Sequence, residues 1–259
     1  MATRTPRFAA FNQGAIPTIA CFVDPTTKTP LGVGLDALIA AMQEYVDKSV
    51  APVWGTPAKL VKSNGFKTGA WAMVFLDDAD QDGALAYHEL TPDGLPISKV
   101  FVRTTIGNGD LVSVSASHEL VEMLVDPAIN LMTTGPDPKL IYAYESADPV
   151  EALTFKVMGI PMSDFVYPSY FEAFHKPGSV KFDHVNKVTK PFQILAGGYQ
   201  IIFKSGKWTQ VYGSLTKKKA FQREQRRGRD GHRSEIRKAA TMTKVEKSVV
   251  TRLEKWANR

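Results

Sequence analysis

Three ionisable side chains within residues 117–127 have a spacing that can support metal chemistry. His118 and Glu122 are four residues apart, so on an α-helix they lie on one face and can bind one ion. Glu119 lies about 100° around the helix from His118 and can reach a water molecule held by that ion. The same geometry underlies the H-E-x-x-H motif, in which two histidines bind zinc and the glutamate is the general base. The spacing therefore predicts a Zn²⁺ site with His118 and Glu122 as ligands and Glu119 as the catalytic base.

A glutamate at position 122 changes the expected chemistry of this site. A carboxylate oxygen binds zinc, but its negative charge makes a metal-bound water less acidic than at an all-imidazole site. An alternative is that H-E-x-x-E merely forms ion pairs on a solvated helix face. Against this alternative, the helix is apolar at Val114, Leu120, Val121, Leu124 and Val125. We therefore expect a core helix on which the ionisable residues are clustered.

The elements that would position this helix follow from hydrophobic periodicity. Residues 111–125 have helical periodicity, and Pro127 ends the helix because proline cannot continue its hydrogen bonding. Residues 34–50 predict an amphipathic helix that packs against another element. Residues 127–168 are rich in Pro, Gly, Asp and Asn, which favours loops and short elements. Strands are predicted at residues 58–61, 71–76 and 98–104 and within residues 179–203.

The pattern S-H-E-x-x-E-x-x-x-D-P at residues 117–127, followed by E-S-A-D at residues 145–148, resembles a group of bacterial and phage-encoded proteins with a zincin-like fold. The stretches DDADQDGALAYH at residues 77–88 and SDFVYP at residues 163–168 are also similar to that group. The resemblance covers roughly residues 15–205. It implies an α+β, zincin-like fold: a mixed twisted sheet with an amphipathic backing helix and a metal-site helix. The predicted order of helix, three strands and helix agrees with the N-terminal half of zincins.

The resemblance also implies a metallopeptidase whose third metal ligand follows the helix in sequence. We favour Glu145, with Asp148 as the alternative ligand or as a residue that orients one; the Asp148-Pro pair could equally be only a turn initiator. Asp126 lies roughly 12 Å from His118 along a regular helix, so we assign it to the helix end or to a contact with a ligand. Candidate hydrogen-bond donors to an oxyanion are Tyr144, Tyr167 and Tyr170.

An acidic stretch at residues 78–89 matches the calcium-loop pattern D-x-[DN]-x-[DN]-G-x5-E. Such a loop needs a helix on each side, whereas the segment before it is a predicted strand. We therefore do not expect an EF-hand with Ca²⁺ at Asp78, Asp80 and Asp82, and favour a looser calcium site or a solvated acidic loop. His88, within the same stretch, is interpreted as a structural or cleft residue.

Charge is divided unevenly along the chain. Residues 215–259 contain 15 Lys/Arg and 5 Asp/Glu, whereas residues 1–214 are weakly acidic. We expect a zincin-like domain at residues 1–214 and a basic, partly helical C-terminal tail at residues 215–259. The tail could contact nucleic acid, contact neighbouring subunits or be a solvated extension. Its candidate contact residues are Lys217, Lys218, Lys219, Arg223, Arg226, Arg227 and Arg229.

Composition bounds the possible functions. The sequence is 44% hydrophobic and contains one cysteine, which excludes an internal disulfide framework. Neither a signal peptide nor a membrane-spanning run is apparent, so we expect an intracellular or virion-associated protein without a membrane partner. Three hypotheses follow: a zinc peptidase that aligns a peptide substrate along the strand at residues 98–104, a non-enzymatic assembly protein that contacts other virion proteins, and a nucleic-acid-associated protein that acts through its tail.

Overall fold

The computed structural model describes residues 16–80 and 84–216, which form an α+β fold. Its strands are, in chain order, Thr18–Val23 (β1), Lys59–Lys62 (β2), Trp71–Leu76 (β3), Ala86–Leu90 (β4), Pro96–Phe101 (β5), Met132–Thr134 (β6), Ile141–Ala143 (β7), Thr154–Val157 (β8), Ile160–Ser163 (β9), Tyr199–Lys204 (β10) and Lys207–Tyr212 (β11). Its α-helices are Leu35–Tyr45 (α1), Ala51–Trp54 (α2), Val102–Gly107 (α3) and Val112–Val125 (α4).

The first sheet is mixed, with the strand order β2-β1-β3-β5-β4. The first four strands in this order run parallel, and β4 pairs antiparallel with β5 at one edge. The apolar run of β3 suits a central strand, because parallel strands are covered on both faces. The strand predicted at residues 98–104 is wrong at its end, since Val102–Gly107 is the helix α3. The strand that forms there, β5, is not an edge strand of the sheet, because it lies between β3 and β4.

Helix α1 confirms the amphipathic helix predicted at residues 34–50. Its Leu38, Met42 and Tyr45 side chains are fully buried in the main core. The helix continues through a π-helical turn at Val46–Val50 into α2. Gln43 joins α1 to β2, because its side chain accepts a hydrogen bond from the Leu60 backbone N–H (2.8 Å). Strand β1, which the sequence analysis did not predict, lies between β2 and β3.

Helix α4 is a core helix, and thirteen of its fourteen residues are buried. It packs against β4, β5 and β9. Ser117 joins the helix to β9, because its Oγ accepts a hydrogen bond from the Ser163 backbone N–H (2.8 Å) while donating to the Ser113 carbonyl (2.8 Å). The helix ends at Asp126, directly before the predicted stop at Pro127.

The chain after α4 forms short elements, as predicted for residues 127–168. Strands β6, β7, β10 and β11 form a second, antiparallel sheet, and β8 and β9 form a hairpin. The strand pattern predicted at residues 179–203 is wrong over most of its length, since the structure forms a strand there only at Tyr199–Lys204. Buried aromatic side chains in residues 179–198, such as Phe182, instead join a second core cluster.

No helix within the described ranges is long and apolar enough to cross a bilayer. The predicted tail contacts from Lys217 to Arg229 and the predicted terminal helix lie outside the described residues.

Candidate metal centre

The ionisable residues of α4 face the interior of the protein. His118, Glu119 and Glu122 are at most 4% exposed, which excludes the solvated helix face considered above. Burying ionised groups is costly unless they are paired or bind a metal. Buried partners are therefore expected next to His118, Glu119 and Glu122.

Two carboxylate oxygens converge on one nitrogen of His118. Its Nε2 lies 3.1 Å from Asp148 Oδ1 and 3.3 Å from Glu122 Oε1. One oxygen or nitrogen atom from each of the three residues lies within 4.8 Å of the other two. One N–H could donate to both carboxylates only as a bifurcated hydrogen bond, whereas a metal ion can bind all three atoms.

The distances fit a metal ligand set. With zinc–ligand bonds of about 2.0–2.2 Å and tetrahedral angles, neighbouring ligand atoms are roughly 3.3–3.6 Å apart. Charge-assisted hydrogen bonds are shorter, at about 2.7–2.9 Å. Of the separations at His118, the 3.3 Å to Glu122 falls within the spacing of metal ligands, and the 3.1 Å to Asp148 falls between the two ranges. One neutral histidine and two carboxylates would also balance the charge of a divalent cation.

The Asp148 side chain is positioned by a turn that follows β7. Asp148 begins a 3₁₀ helix, Asp148–Val150, and the preceding Ala147 N–H donates to Glu122 Oε1 (3.2 Å). The chain before β10 packs closely on this turn: a Cβ added to Gly198 would lie 2.3 Å from the Pro149 carbonyl oxygen and 2.6 Å from that of Asp148. A residue other than glycine would therefore displace the turn that presents Asp148.

Glu145, the favoured third ligand, is buried but belongs to neither of the two possible ligand groups found among the described residues. Asp148, the alternative ligand, belongs to the first group. Of the two candidates for the third ligand, the fold thus places Asp148, and not Glu145, in one possible ligand group with His118 and Glu122.

His88 is the residue whose importance the sequence analysis missed. It lies on the edge strand β4 and is buried, with Nδ1 3.4 Å from Glu119 Oε2 and Nε2 3.1 Å from the Asp126 carbonyl oxygen. His88, Glu119 and Glu122 form the second possible ligand group. Burial acts to lower the pKa of His88, but the hydrogen bond and charge of Glu119, with Glu145 and Glu122 adding, raise it to about 9. The only sequence signal was its place in the stretch 77–88.

Asp126 is a helix-end residue, as one of the predictions for it stated. Its side chain accepts hydrogen bonds from the backbone N–H groups of Asn130 (2.9 Å) and Leu131 (3.0 Å). These bonds hold the loop after α4, and the Asp126 carbonyl orients His88. Asp126 therefore supports the centre from the end of the helix.

The three tyrosines predicted as oxyanion donors lie in or against the aromatic packing of the second half of the chain. Tyr144 stacks on Phe171, with ring centroids 4.1 Å apart. The Tyr170 hydroxyl donates to the Gln193 carbonyl (3.1 Å), and the Tyr167 hydroxyl lies 3.3 Å from His184 Nδ1. Burial raises the pKa of Tyr170 well above its ordinary value; the hydrogen bond with Gln200 opposes this effect, and the charges of Tyr142 and Asp148 add to it.

The acidic stretch with the calcium-loop pattern is flanked by strands β3 and β4, which confirms that the preceding segment is a strand. Asp78 forms an ion pair with Arg103, and Asp80 accepts hydrogen bonds from Tyr87 (2.6 Å) and Lys99 (2.8 Å). Asp82 lies outside the described residues. The two described aspartates therefore serve as partners for side chains near β4 and β5.

Comparisons with known proteins add no family assignment. No family model, curated protein or solved structure matches the chain. Functional conclusions about this protein therefore depend on the residues and contacts described above.

Proposed function

We propose that the protein is a metal-dependent peptidase with a zincin-like fold, in which His118, Glu122 and Asp148 hold a divalent cation. The observation that carries this proposal is the convergence of two buried carboxylate oxygens on His118 Nε2, at 3.1 and 3.3 Å. Zinc is the cation we favour, because it accepts both imidazole and carboxylate ligands at these spacings. The mixed sheet, with an antiparallel edge strand beside the metal-site helix, supports the zincin-like assignment.

The remaining parts of a peptidase site can be assigned on the same basis. A bound divalent cation supplies a Lewis acid and a more acidic water molecule. Glu119, next to His118 on α4, is the residue to accept a proton from that water, as the sequence analysis predicted. An extended peptide would pair with β4, not with residues 98–104, because β4 is the edge strand nearest to the centre. Because two of the three ligands are carboxylates, which make a metal-bound water less acidic, we expect slow peptide hydrolysis.

Metal analysis combined with peptide cleavage tests the proposal. The full chain should contain zinc after purification, and His118→Gln should lose the ion held by that histidine and all cleavage of a peptide library. Glu119→Gln should lose cleavage while retaining at least one ion per chain. His175→Gln is the matched control, because His175 is partly exposed, pairs with Glu172 (2.6 Å) and belongs to neither possible ligand group. Absence of any stoichiometric metal in the wild-type protein would refute the proposal.

A second candidate function is favoured by one specific observation, the complete burial of the centre. Asp148 and Glu122 are 0% exposed and His118 is 4% exposed, and structural zinc sites are closed where catalytic sites keep an open position. In this case the ion stabilises a non-enzymatic assembly protein, associated with a phage virion, whose basic tail contacts neighbouring subunits or nucleic acid. Metal removal would then lower the melting temperature, while no peptide would be cleaved by the metal-loaded protein.

A further inference from the structure

The second ligand group, His88, Glu119 and Glu122, lies beside the first and shares Glu122 with it. One ligand atom from each of its residues lies within 4.8 Å of the other two, and all three residues are buried. Its members come from two different elements, the edge strand β4 and the helix α4. The packing of β4 on α4 therefore assembles this group next to His118.

The hydrogen bonding of His88 aims one ring nitrogen into the group. Its Nε2 lies 3.1 Å from the Asp126 carbonyl oxygen, which can only accept a hydrogen bond, so Nε2 carries a proton and donates. The other nitrogen, Nδ1, then faces Glu119 Oε2 at 3.4 Å. Metal-binding histidines usually donate their second ring nitrogen to a carbonyl or carboxylate in this way, which fixes the ring and its tautomer. The 3.4 Å separation also falls within the roughly 3.3–3.6 Å between neighbouring ligands of a tetrahedral ion.

The charge of the buried groups favours more than one cation. Four carboxylates act on the two histidines: Glu122 and Asp148 on His118, and Glu119, Glu145 and again Glu122 on His88. Ionised, they carry a total charge of −4, and one divalent cation with two neutral histidines would leave −2 in the interior. With two divalent cations, the net charge of the cations and these six side chains together would be zero. This count also gives Glu145 a role, as a charge partner on the His88 side of the centre.

We propose that the centre binds two divalent cations, one held by His118, Asp148 and Glu122 and the other by His88, Glu119 and Glu122, with Glu122 shared between them. The first cation is the one in the proposed function. The two-cation inference therefore rests on that proposed function for its first site. When the second cation is bound, Glu119 is a metal ligand, so its role as general base belongs to the protein with only the first cation bound. Carboxylate-bridged ions lie about 3.5–4 Å apart and act together on a substrate oxygen.

Stoichiometry separates this inference from the proposed function. The full chain is stripped of metal with a chelator, titrated with Zn²⁺ and analysed for bound metal per chain, with circular dichroism to verify folding. Wild type and the control His175→Gln should bind two ions, and His88→Gln, Glu119→Gln and His118→Gln one each. A wild-type protein that binds a single ion unaffected by His88→Gln overturns the second site and leaves the proposed function standing. A wild-type protein that binds none overturns both. Two ions in His88→Gln or in Glu119→Gln overturn the ligand set.

A measurement on the wild-type protein covers the case in which a variant does not fold. With Mn²⁺ in place of Zn²⁺, two ions bridged by Glu122 should give the electron paramagnetic resonance spectrum of a spin-coupled pair once two equivalents are bound. A spectrum that shows only isolated Mn²⁺ at every loading would overturn the shared-ligand arrangement.

Discussion

Replacing Asp164 by asparagine should remove a large part of the pH dependence of stability. Asp164, the residue that follows β9, and Asp183 are both 0% exposed and interact with each other. Burial, with the hydrogen bond and charge of Asp183 adding, raises the pKa of Asp164 to about 8. Asp183 in turn accepts hydrogen bonds from the backbone N–H groups of Lys187 (2.9 Å) and Val188 (2.8 Å).

The direction in which stability changes with pH follows from proton linkage. An unfolded aspartate has a pKa of about 3.9, so between that pH and about 8 the folded protein holds one proton more than the unfolded chain. The stability contributed by protonated Asp164 is therefore fully present below pH ~4 and is lost as the pH rises to about 8. At 1.36 kcal/mol per unit the loss has an upper limit of roughly 5–6 kcal/mol, and relaxation around a charged pair reduces it to about 2–4 kcal/mol.

Chemical denaturation at pH 5, 7 and 9, with excess chelator so that metal binding does not contribute, measures this effect. Asp164→Asn mimics the protonated carboxyl, so its free energy of unfolding should fall less than that of wild type between pH 5 and 9, by about 2–4 kcal/mol. Asp93→Asn, at an exposed position, should keep the wild-type slope. An Asp164→Asn protein with the wild-type slope, or with lower stability than wild type at pH 9, would refute the reasoning.

Three further predictions concern the supports of the centre and the tail. Ser117→Ala should lower the free energy of unfolding by about 1–3 kcal/mol in denaturant titrations, because the buried Ser163 N–H loses its acceptor; an unchanged value would mean that water replaces the hydroxyl. Gly198→Ala should weaken zinc binding by tenfold or more in calorimetric titration, because it displaces the Asp148 turn, whereas Gly34→Ala, at a position with open space, should not. Deletion of residues 216–259 should abolish salt-sensitive DNA binding by the full chain in a mobility-shift assay; binding that survives the deletion would exclude the tail as the contact.

The sequence alone predicted the elements whose pattern is local. Helix α4 and strand β3 match their predicted ranges within one residue, because helical periodicity and a compact apolar run are signals carried by neighbouring residues. The prediction at residues 98–104 failed at its end because the apolar Val102 fits a strand or a helix equally well. At residues 179–203 strand-like patterning predicted strands, yet Phe182 packs into the second core cluster outside any strand. Tertiary contacts decided that outcome.

The residues of the candidate site also differ in how far the sequence alone could identify them. The i, i+4 spacing of His118 and Glu122, with Glu119 between them, follows from helical geometry and was available from the sequence. That these residues are buried could be inferred only partly, from the apolar positions around them. Asp148 was one of two alternatives, and His88 was interpreted as structural, because both reach the centre through contacts between distant parts of the chain. The order of strands puts β4 beside α4, and the turn held by Gly198 brings Asp148 to His118. The sequence thus determined the helix and its face, and the tertiary structure alone decided which side chains meet it.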